Sequence, residues 1–354
     1  MAYFSIISLF FPLILLLWLA NVADKRRTAT SARRDVAILV YSLLGLAWLT
    51  LLVGGAFAVL LGIAYARYAD ATALSARYVA QGLDPEFVIQ FMQSLPRLGG
   101  GLLVLALAGL VLLLSPVRRL IARLIPISAG SVTQAVALAY GVLILVNLWL
   151  VMGVGLENIA GAAEAAPDAS SGQMMALLWL QNLLMALMAL TGVGWLSRRR
   201  WRDVLLRLGV TRPGWREVGV GVGLGVGIFL LLFPLSLLLE KTGVGVDPNI
   251  EALTEKLFGP LMTSLPGVIT LGAAAALGEE LIYRGALQPR FGLWLTAILF
   301  ALTHNQYGVS LSTAVVFLLG LALGWTRWRY NTTASFFLHA AYNIAIGSVG
   351  FLFH

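Results

Sequence analysis

The sequence predicts an all-α, polytopic membrane protein with about ten transmembrane helices. Of its 354 residues, 60% are apolar and only 11% are charged, and the mean hydropathy is +0.90. Soluble domains carry about 25% charged residues, so this composition excludes an ordinary soluble fold. The absence of cysteine excludes disulfides, thiolate metal sites and a cysteine nucleophile.

Apolar segments recur along the whole chain at lengths that suit a bilayer crossing. The first segment, 3–23, has no basic residue before it and three directly after it, which favours an uncleaved helix over a secretory signal. Residues 66–97 mix polar and apolar side chains and are expected to lie on the membrane surface. The other nine predicted spans lie within 36–65, 98–117, 131–154, 174–196, 218–239, 265–287, 292–307, 311–325 and 333–353.

The charge distribution predicts how these spans are oriented. Lysine and arginine number 24 and acidic residues 16, giving a net charge of +8. The basic residues follow spans 1, 3, 5, 7 and 9, which predicts that these loops are cytoplasmic and that both termini lie outside. The expected location is a prokaryotic cytoplasmic (inner) membrane, with the protein integral to it and its basic loops on the cytoplasmic side. The surplus charge indicates orientation and contact with anionic lipid, and not nucleic-acid binding.

The sixth span contains alternating glycines from Gly219 to Gly227. Several of them stand four residues apart, which allows a neighbouring helix to approach closely. A phosphate-binding loop is the alternative, but the GxGxxG spacing is not completed. Helix packing is therefore the predicted use of these glycines.

Three charged residues interrupt the apolar seventh span: Glu279, Glu280 and Arg284. One charged side chain near a bilayer centre costs roughly 2.5–3.5 kcal/mol, so three together need an explanation. Glu280 and Arg284 are four residues apart on a helix and can form an ion pair. Glu279 points about 100° away from that pair and is suited to exchange a proton. A simpler explanation is a helix end whose charges reach the lipid headgroups.

Two intramembrane histidines favour a functional site over that simpler explanation. His304 lies near the end of the eighth span. His339 stands four residues before Asn343 in the tenth, so His339 and Asn343 project from one helix face. The third histidine is the last residue of the chain. A single histidine on an apolar face is more often a hydrogen-bonded core residue than a catalyst. Buried polar groups in lipid associate with each other, however, so we expect these side chains to converge.

Such a set of side chains suits hydrolysis of a peptide bond inside the membrane. A glutamate can take a proton from the attacking water, and an asparagine and a histidine can donate hydrogen bonds to the developing oxyanion. Two histidines and a carboxylate can instead hold a zinc ion. The HExxH zinc motif is absent, although ligands from three helices remain an alternative.

The order and spacing of these charged and polar residues resemble the pattern of the CPBP family of intramembrane proteases. That family includes CAAX prenyl endopeptidases of the Ras-converting type and bacterial proteins linked to bacteriocin processing and self-immunity. The likeness covers roughly residues 215–354. It rests on three motifs in order on successive apolar segments, namely Glu279-Glu280-x-x-x-Arg284, Phe300-x-x-x-His304 and His339-x-x-x-Asn343.

The resemblance implies a role for each catalytic candidate. Glu279 would be the base that activates water, and His304 would act beside it on the same water. His339 and Asn343 would stabilise the oxyanion. Glu280 and Arg284 would support the site structurally, in agreement with the ion pair expected from their spacing.

The resemblance leaves the cofactor and the substrate open. The family has been described both as metalloproteases and as metal-independent glutamate proteases. We favour the second description, because no carboxylate is evident beside either histidine to support a metal. A zinc ion, if present, would be bound by Glu279, His304 and His339. The expected partners are the lipid bilayer and a membrane-associated peptide or protein substrate, CAAX-like or otherwise and with or without a lipid anchor.

The resemblance also divides the chain and raises a difficulty. Residues 1–215 would form an N-terminal transmembrane region of about five helices without an assigned function, and residues 216–354 a CPBP-type protease core. Glu279 is expected near the inner end of the seventh span and His304 near the outer end of the eighth, about 20 Å apart in depth. They would meet only if part of 285–297 follows the inner surface or the eighth span is re-entrant.

Two other classes of function compete with a protease. A membrane scaffold or self-immunity protein would keep the motif residues for helix packing, and substitution of Glu279 would leave its function intact. A proton-coupled transporter would use the same residues as a relay. Spans 1–6 offer no charged half to match the C-terminal one, although inverted-repeat transporters usually have one.

Overall fold

The structure is a computed structural model that describes residues 2–25, 30–68, 85–242 and 247–353. Within these ranges the regular secondary structure is helical and no β-strand forms, which confirms the all-α class. A π-helical segment, Glu280–Leu287, and a 3₁₀ turn, Asn305–Tyr307, interrupt the α-helices. The α-helices are α1 (Ala2–Ala23), α2 (Thr30–Tyr68), α3 (Pro85–Leu112), α4 (Ser115–Ile121), α5 (Val132–Val154), α6 (Leu156–Ala165), α7 (Ser171–Gly192), α8 (Trp201–Leu208), α9 (Trp215–Lys241), α10 (Pro248–Met262), α11 (Leu265–Glu279), α12 (Gln288–Leu302), α13 (Leu311–Arg329) and α14 (Thr332–Phe353).

The described residues contain nine helical segments that are long and apolar enough to cross a membrane. The prediction was about ten, and the difference arises because the seventh and eighth predicted spans lie in one continuous segment, Leu265–Leu302. The predicted surface segment also differs, since α3 begins at Pro85, well before the predicted span at 98. Residues 69–84 of that surface segment lie outside the described residues.

The segment Leu265–Leu302 folds back on itself at Gly292. This glycine has φ 76° and ψ 173°, a backbone conformation that is essentially restricted to glycine. The Tyr283 hydroxyl donates a hydrogen bond to Thr303 Oγ1 at 3.0 Å, although 20 residues of straight helix would separate them by about 30 Å. We call residues 265–291 the first arm and residues 293–302 the second arm of this hairpin.

The hairpin explains how Glu279 and His304 come to lie at a similar depth in the membrane. Glu279 precedes Gly292 by about 13 residues and His304 follows it by about 12, so each lies roughly 20 Å from the turn. The expected difference in depth was wrong because the helix of the first arm continues to the turn at Gly292 and does not end at residue 287. The two antiparallel arms therefore bring both residues to the same level of the bundle.

Helix α9 packs closely on α14 through two of the predicted glycines. A Cβ atom on Gly221 would lie 2.6 Å from the Ala334 carbonyl oxygen, and one on Gly225 would lie 2.4 Å from that of Leu338. Gly219, Gly223 and Gly227 have no such neighbour. The predicted close approach is therefore confirmed for one face of the helix, and this face holds α14 in position.

The N-terminal and C-terminal parts of the chain share one hydrophobic core. Leu138 and Ala189 pack in the same buried cluster as Phe300, Leu323 and Leu338. A second cluster lies between α1, α2, α3 and α5. The boundary between residues 215 and 216 stays a prediction.

Candidate active site

A cavity of about 1440 Å³ contains the four predicted catalytic residues. Glu279, His304, His339 and Asn343 all line it, and most of the other lining side chains are apolar. Glu279 comes from the end of α11, His304 from the turn after the second arm, and His339 and Asn343 from successive turns of α14. The structure thus brings together the residues that the three sequence motifs singled out.

Glu280 and Arg284 form the predicted ion pair in the core beside this cavity. Arg284 Nη1 lies 3.1 Å from Glu280 Oε1, and both side chains are only 1% exposed. Arg284 also donates a hydrogen bond from Nη2 to the Gly320 carbonyl oxygen at 3.3 Å. Its guanidinium carbon lies 4.1 Å from the centre of the Phe300 ring. A buried pair needs such additional contacts because the removal of both charges from water is costly.

His339 stands between the two adjacent glutamates. Its Nδ1 lies 3.0 Å from Glu280 Oε1, and a carboxylate accepts, so Nδ1 carries the proton of this hydrogen bond. Its Nε2 lies 3.9 Å from Glu279 Oε2. Glu280 therefore fixes the orientation of the ring that faces Glu279. The sequence-based statement that neither histidine has a supporting carboxylate was wrong, because the contact depends on how α14 packs against the π-helical segment.

Glu279 differs from Glu280 in its surroundings. Its side chain is 18% exposed, and its Oε2 atom is buried without a hydrogen-bond partner among the described residues. Buried carboxylate oxygens normally have a hydrogen-bond donor, so this oxygen is unusual in having none from the protein. The 3.9 Å between Glu279 Oε2 and His339 Nε2 is too long for a direct hydrogen bond.

His304 is held by the end of the second arm. Its Nδ1 lies 2.9 Å from the Phe300 carbonyl oxygen, which can only accept, so Nδ1 carries a proton and Nε2 is left to accept a hydrogen bond. The His304 ring stacks on Tyr307 with centroids 6.1 Å apart. The Phe300 ring contacts His304 at 5.0 Å and His339 at 5.9 Å, so one aromatic ring positions both histidines.

The zinc alternative requires Glu279, His304 and His339 as ligands, and all three line the cavity. In the part of the chain that the structure describes, no group of three His, Cys, Asp or Glu side chains is placed to hold a metal ion. The contact of His339 Nδ1 with Glu280 is of the kind that supports metal-binding histidines, and Nε2 lies on the side of Glu279. Metal independence therefore stays a prediction.

Ser335 belongs to the site, although the sequence patterns did not identify it as a site residue. Its hydroxyl group hydrogen-bonds Glu280 Oε2, the carboxylate oxygen that does not contact His339. A signal was available, because Ser335, His339 and Asn343 follow one another at four-residue intervals and therefore share a helix face. Serine is common in membrane helices, so this spacing alone did not distinguish it.

A comparison with known families concerns the same part of the chain. Residues 261–345 match a family described as type II CAAX prenyl endopeptidase Rce1-like. An uncharacterized protein of Bacillus subtilis (strain 168), YpbD, is 34% identical over 96 residues, which cover 25% of this chain and 50% of YpbD. The chain thus spans about half the length of this relative. No solved structure matches the chain.

Proposed function

We propose that this chain, whose residues 261–345 match the family described as type II CAAX prenyl endopeptidase Rce1-like, is an intramembrane endopeptidase that hydrolyses its substrate with water activated by Glu279. The observation that carries the proposal is that Glu279 lines the cavity, while its buried Oε2 has no hydrogen-bond partner among the described residues and lies 3.9 Å from His339 Nε2. A structural carboxylate would be fully paired, as Glu280 is. An unpaired carboxylate at a cavity wall is suited to take a proton from a water molecule that enters the site.

The proposed reaction assigns one task to each lining residue. One water donates its two hydrogens to Glu279 Oε2 and His304 Nε2, which leaves an oxygen lone pair free to attack the peptide carbonyl carbon. Glu279 takes the proton as the new C–O bond forms. It then gives that proton to the leaving amine as the C–N bond breaks, so that no external acid is needed.

His339 and Asn343 are proposed to stabilise the oxyanion. The contact of Nδ1 with the Glu280 carboxylate fixes the His339 ring, so that an N–H at Nε2 would donate its hydrogen bond to the oxyanion. The Asn343 amide supplies the second donor from the next turn of α14. Glu280, Arg284 and Ser335 act as positioning residues, because they orient His339 without reaching the cavity.

The proposed substrate is a membrane-associated peptide of CAAX type. The first support is the family match over residues 261–345. The second is the largely apolar cavity, which can accept an apolar peptide or a lipid anchor next to Glu279. We also propose that the reaction needs no metal ion, because a glutamate base with histidine and asparagine hydrogen-bond donors is sufficient for the hydrolysis.

The experiment is cleavage of a quenched fluorescent, prenylated CAAX peptide by the purified protein in detergent, with and without a chelator. Glu279→Gln should lower the rate by about 100-fold or more, since general-base catalysis contributes that much, and His304→Ala should also lower it. Glu251→Gln is the matched control, because Glu251 lines the same cavity but belongs to no part of the proposed machinery.

The outcomes of this experiment test the mechanism, the need for a metal ion and the substrate class separately. Activity of the wild type and of Glu251→Gln in chelator, with loss in Glu279→Gln, supports the proposal in full. Loss of activity in chelator with recovery on addition of zinc contradicts the metal-independent mechanism. If wild type does not cleave the peptide, the CAAX-type substrate is wrong. Retention of biological function by Glu279→Gln in cells would then favour the scaffold or self-immunity role.

A further inference from the structure

One end of the cavity is lined by four arginines, Arg198, Arg199, Arg207 and Arg290, which we call the arginine mouth. They are close enough to influence one another. Burial and the charges of the neighbouring arginines lower the pKa of Arg207 to about 10, so Arg207 is still positively charged at neutral pH. The mouth therefore concentrates positive charge beside an apolar cavity.

This charge is only partly compensated by the protein. Asp24 lies 3.9 Å from Arg198, and Asp203 raises the pKa of Arg199. Arg207 instead donates hydrogen bonds to two backbone carbonyl oxygens, of Gly285 at 3.0 Å and of Ala286 at 3.3 Å. No acidic group of the described chain is among those that shift the pKa of Arg207. A fixed guanidinium with surplus charge and remaining N–H donors is suited to bind an anion.

Tryptophans place the arginine mouth at the level of the lipid headgroups. Tryptophan is enriched where a membrane protein meets the membrane–water interface. Two exposed tryptophans flank the stretch that contains Arg207, one lies four residues after Arg290, and two lie in the last two turns of α13. They are Trp201 at 49% exposure, Trp215 at 88%, Trp294 at 65%, Trp325 at 46% and Trp328 at 77%. The backbone hydrogen bond from Thr332 to Gly209, at 3.0 Å, joins the start of α14, which directly follows α13, to the end of α8.

We propose that the arginine mouth binds the phosphate of an anionic phospholipid whose acyl chains enter the apolar cavity. Basic pockets between membrane helices at this level bind phosphate headgroups, and guanidinium groups match phosphate geometry. Apolar side chains line the cavity next to the arginines, namely Val193, Ala286 and Leu287. The site for the phosphate headgroup therefore adjoins the site for the acyl chains. The tryptophan level favours a lipid over the terminal carboxylate of a peptide. This site goes beyond the proposed peptidase and does not depend on it.

The test measures binding of dioleoyl phosphatidylglycerol to the full chain in detergent by native mass spectrometry. Arg207→Gln/Arg290→Gln should weaken binding about tenfold or more, because the phosphate loses two charged hydrogen-bond donors. Arg212→Gln/Arg216→Gln removes the same charge from the same end of the bundle but outside the cavity lining, and should bind as wild type does. Arg290→Gln alone, at an exposed residue, tests the site if the double variant fails to fold.

Further competition measurements identify which anion the arginine mouth binds. Inorganic phosphate should displace the lipid only weakly, because it leaves the apolar cavity empty. Equal displacement by inorganic phosphate would replace the lipid with a soluble anion and overturn the proposal. Equal loss of binding in the two double variants would show attraction by overall charge and would also overturn it. Displacement by a short apolar peptide acid, but not by its amide, would reassign the mouth to a peptide terminus.

Discussion

His339 contacts both members of the glutamate pair, yet the two carboxylates have different surroundings. Glu280 is surrounded by Arg284, Ser335 and His339 in the core, whereas Glu279 keeps an oxygen without a partner among the described residues. The ion pair could be predicted because four-residue spacing on a helix is a local property. The His339 contacts could not, since they join residues 59 positions apart through tertiary packing.

At the scale of single residues, the buried pair predicts strong coupling between Glu280 and Arg284. Glu280→Gln and Arg284→Gln should each lower the free energy of unfolding by about 3–5 kcal/mol, because each leaves a buried charge without its partner. The double variant should lose clearly less than the sum of the two. Equilibrium unfolding in mixed detergent measures all three variants.

The two single variants and the double variant form a double-mutant cycle. The matched control for this cycle is the exposed pair of Lys256 and Asp168, whose charged atoms lie 2.7 Å apart. The Asp168 side chain is 91% exposed, and solvent screens such a pair, so its cycle should show no measurable coupling. If losses in the buried pair are strictly additive, Glu280 and Arg284 are stabilised separately by their other contacts and the inferred pairing energy is wrong.

At the scale of helices, most spans and the glycine face of α9 could be predicted from the sequence. Apolar length and four-residue glycine spacing are both local signals. The hairpin could not be predicted, because Gly292 alone does not reveal that the backbone adopts a positive φ there. The π-helical segment was also missed, since its sequence is compatible with an ordinary α-helix. Both features determine how Glu279 faces His304.

The close approach of α9 and α14 predicts a difference between neighbouring glycines. Gly225→Ala should reduce peptide cleavage and lower the free energy of unfolding by about 1–3 kcal/mol, because overpacking forces the helices apart. Its Cβ would lie 2.4 Å from the Leu338 carbonyl oxygen, directly before His339. Gly223→Ala has nothing within 4 Å of its Cβ and should be neutral or stabilising. Thermal unfolding and cleavage rates of the two variants decide this, and equal behaviour would contradict the packing argument.

At the scale of the whole molecule, the cavity is enclosed by both parts of the chain. Leu13 of α1 and Tyr140 of α5 line it together with the catalytic candidates. Asn305, next to His304, donates a hydrogen bond to the Asn147 side chain of α5. The sequence motifs predicted the C-terminal contribution only, because the apolar N-terminal spans have no residue pattern that indicates which side faces a cavity.

This shared enclosure predicts that residues 216–354 are not sufficient for activity. The fragment expressed alone should not cleave the peptide, because it lacks α1, α5 and α7 as walls of the cavity. Co-expression with residues 1–215 should restore cleavage if the two parts associate through the common core. The measurement is peptide cleavage by membranes from cells that express the fragment alone and from cells that express both fragments, compared with membranes that contain the full chain. Full activity of the isolated fragment would mean that the N-terminal region only anchors the protease core.

The hairpin at Gly292 also has a consequence for how the protein is made. The second arm contains only about ten residues, or about 15 Å of helix, whereas a segment needs about 20 apolar residues to span a bilayer. During synthesis the second arm is therefore too short to leave the translocation channel for lipid by itself. It must enter the membrane together with the first arm, as one preformed unit. His304 would then reach its depth through the same insertion event as Glu279.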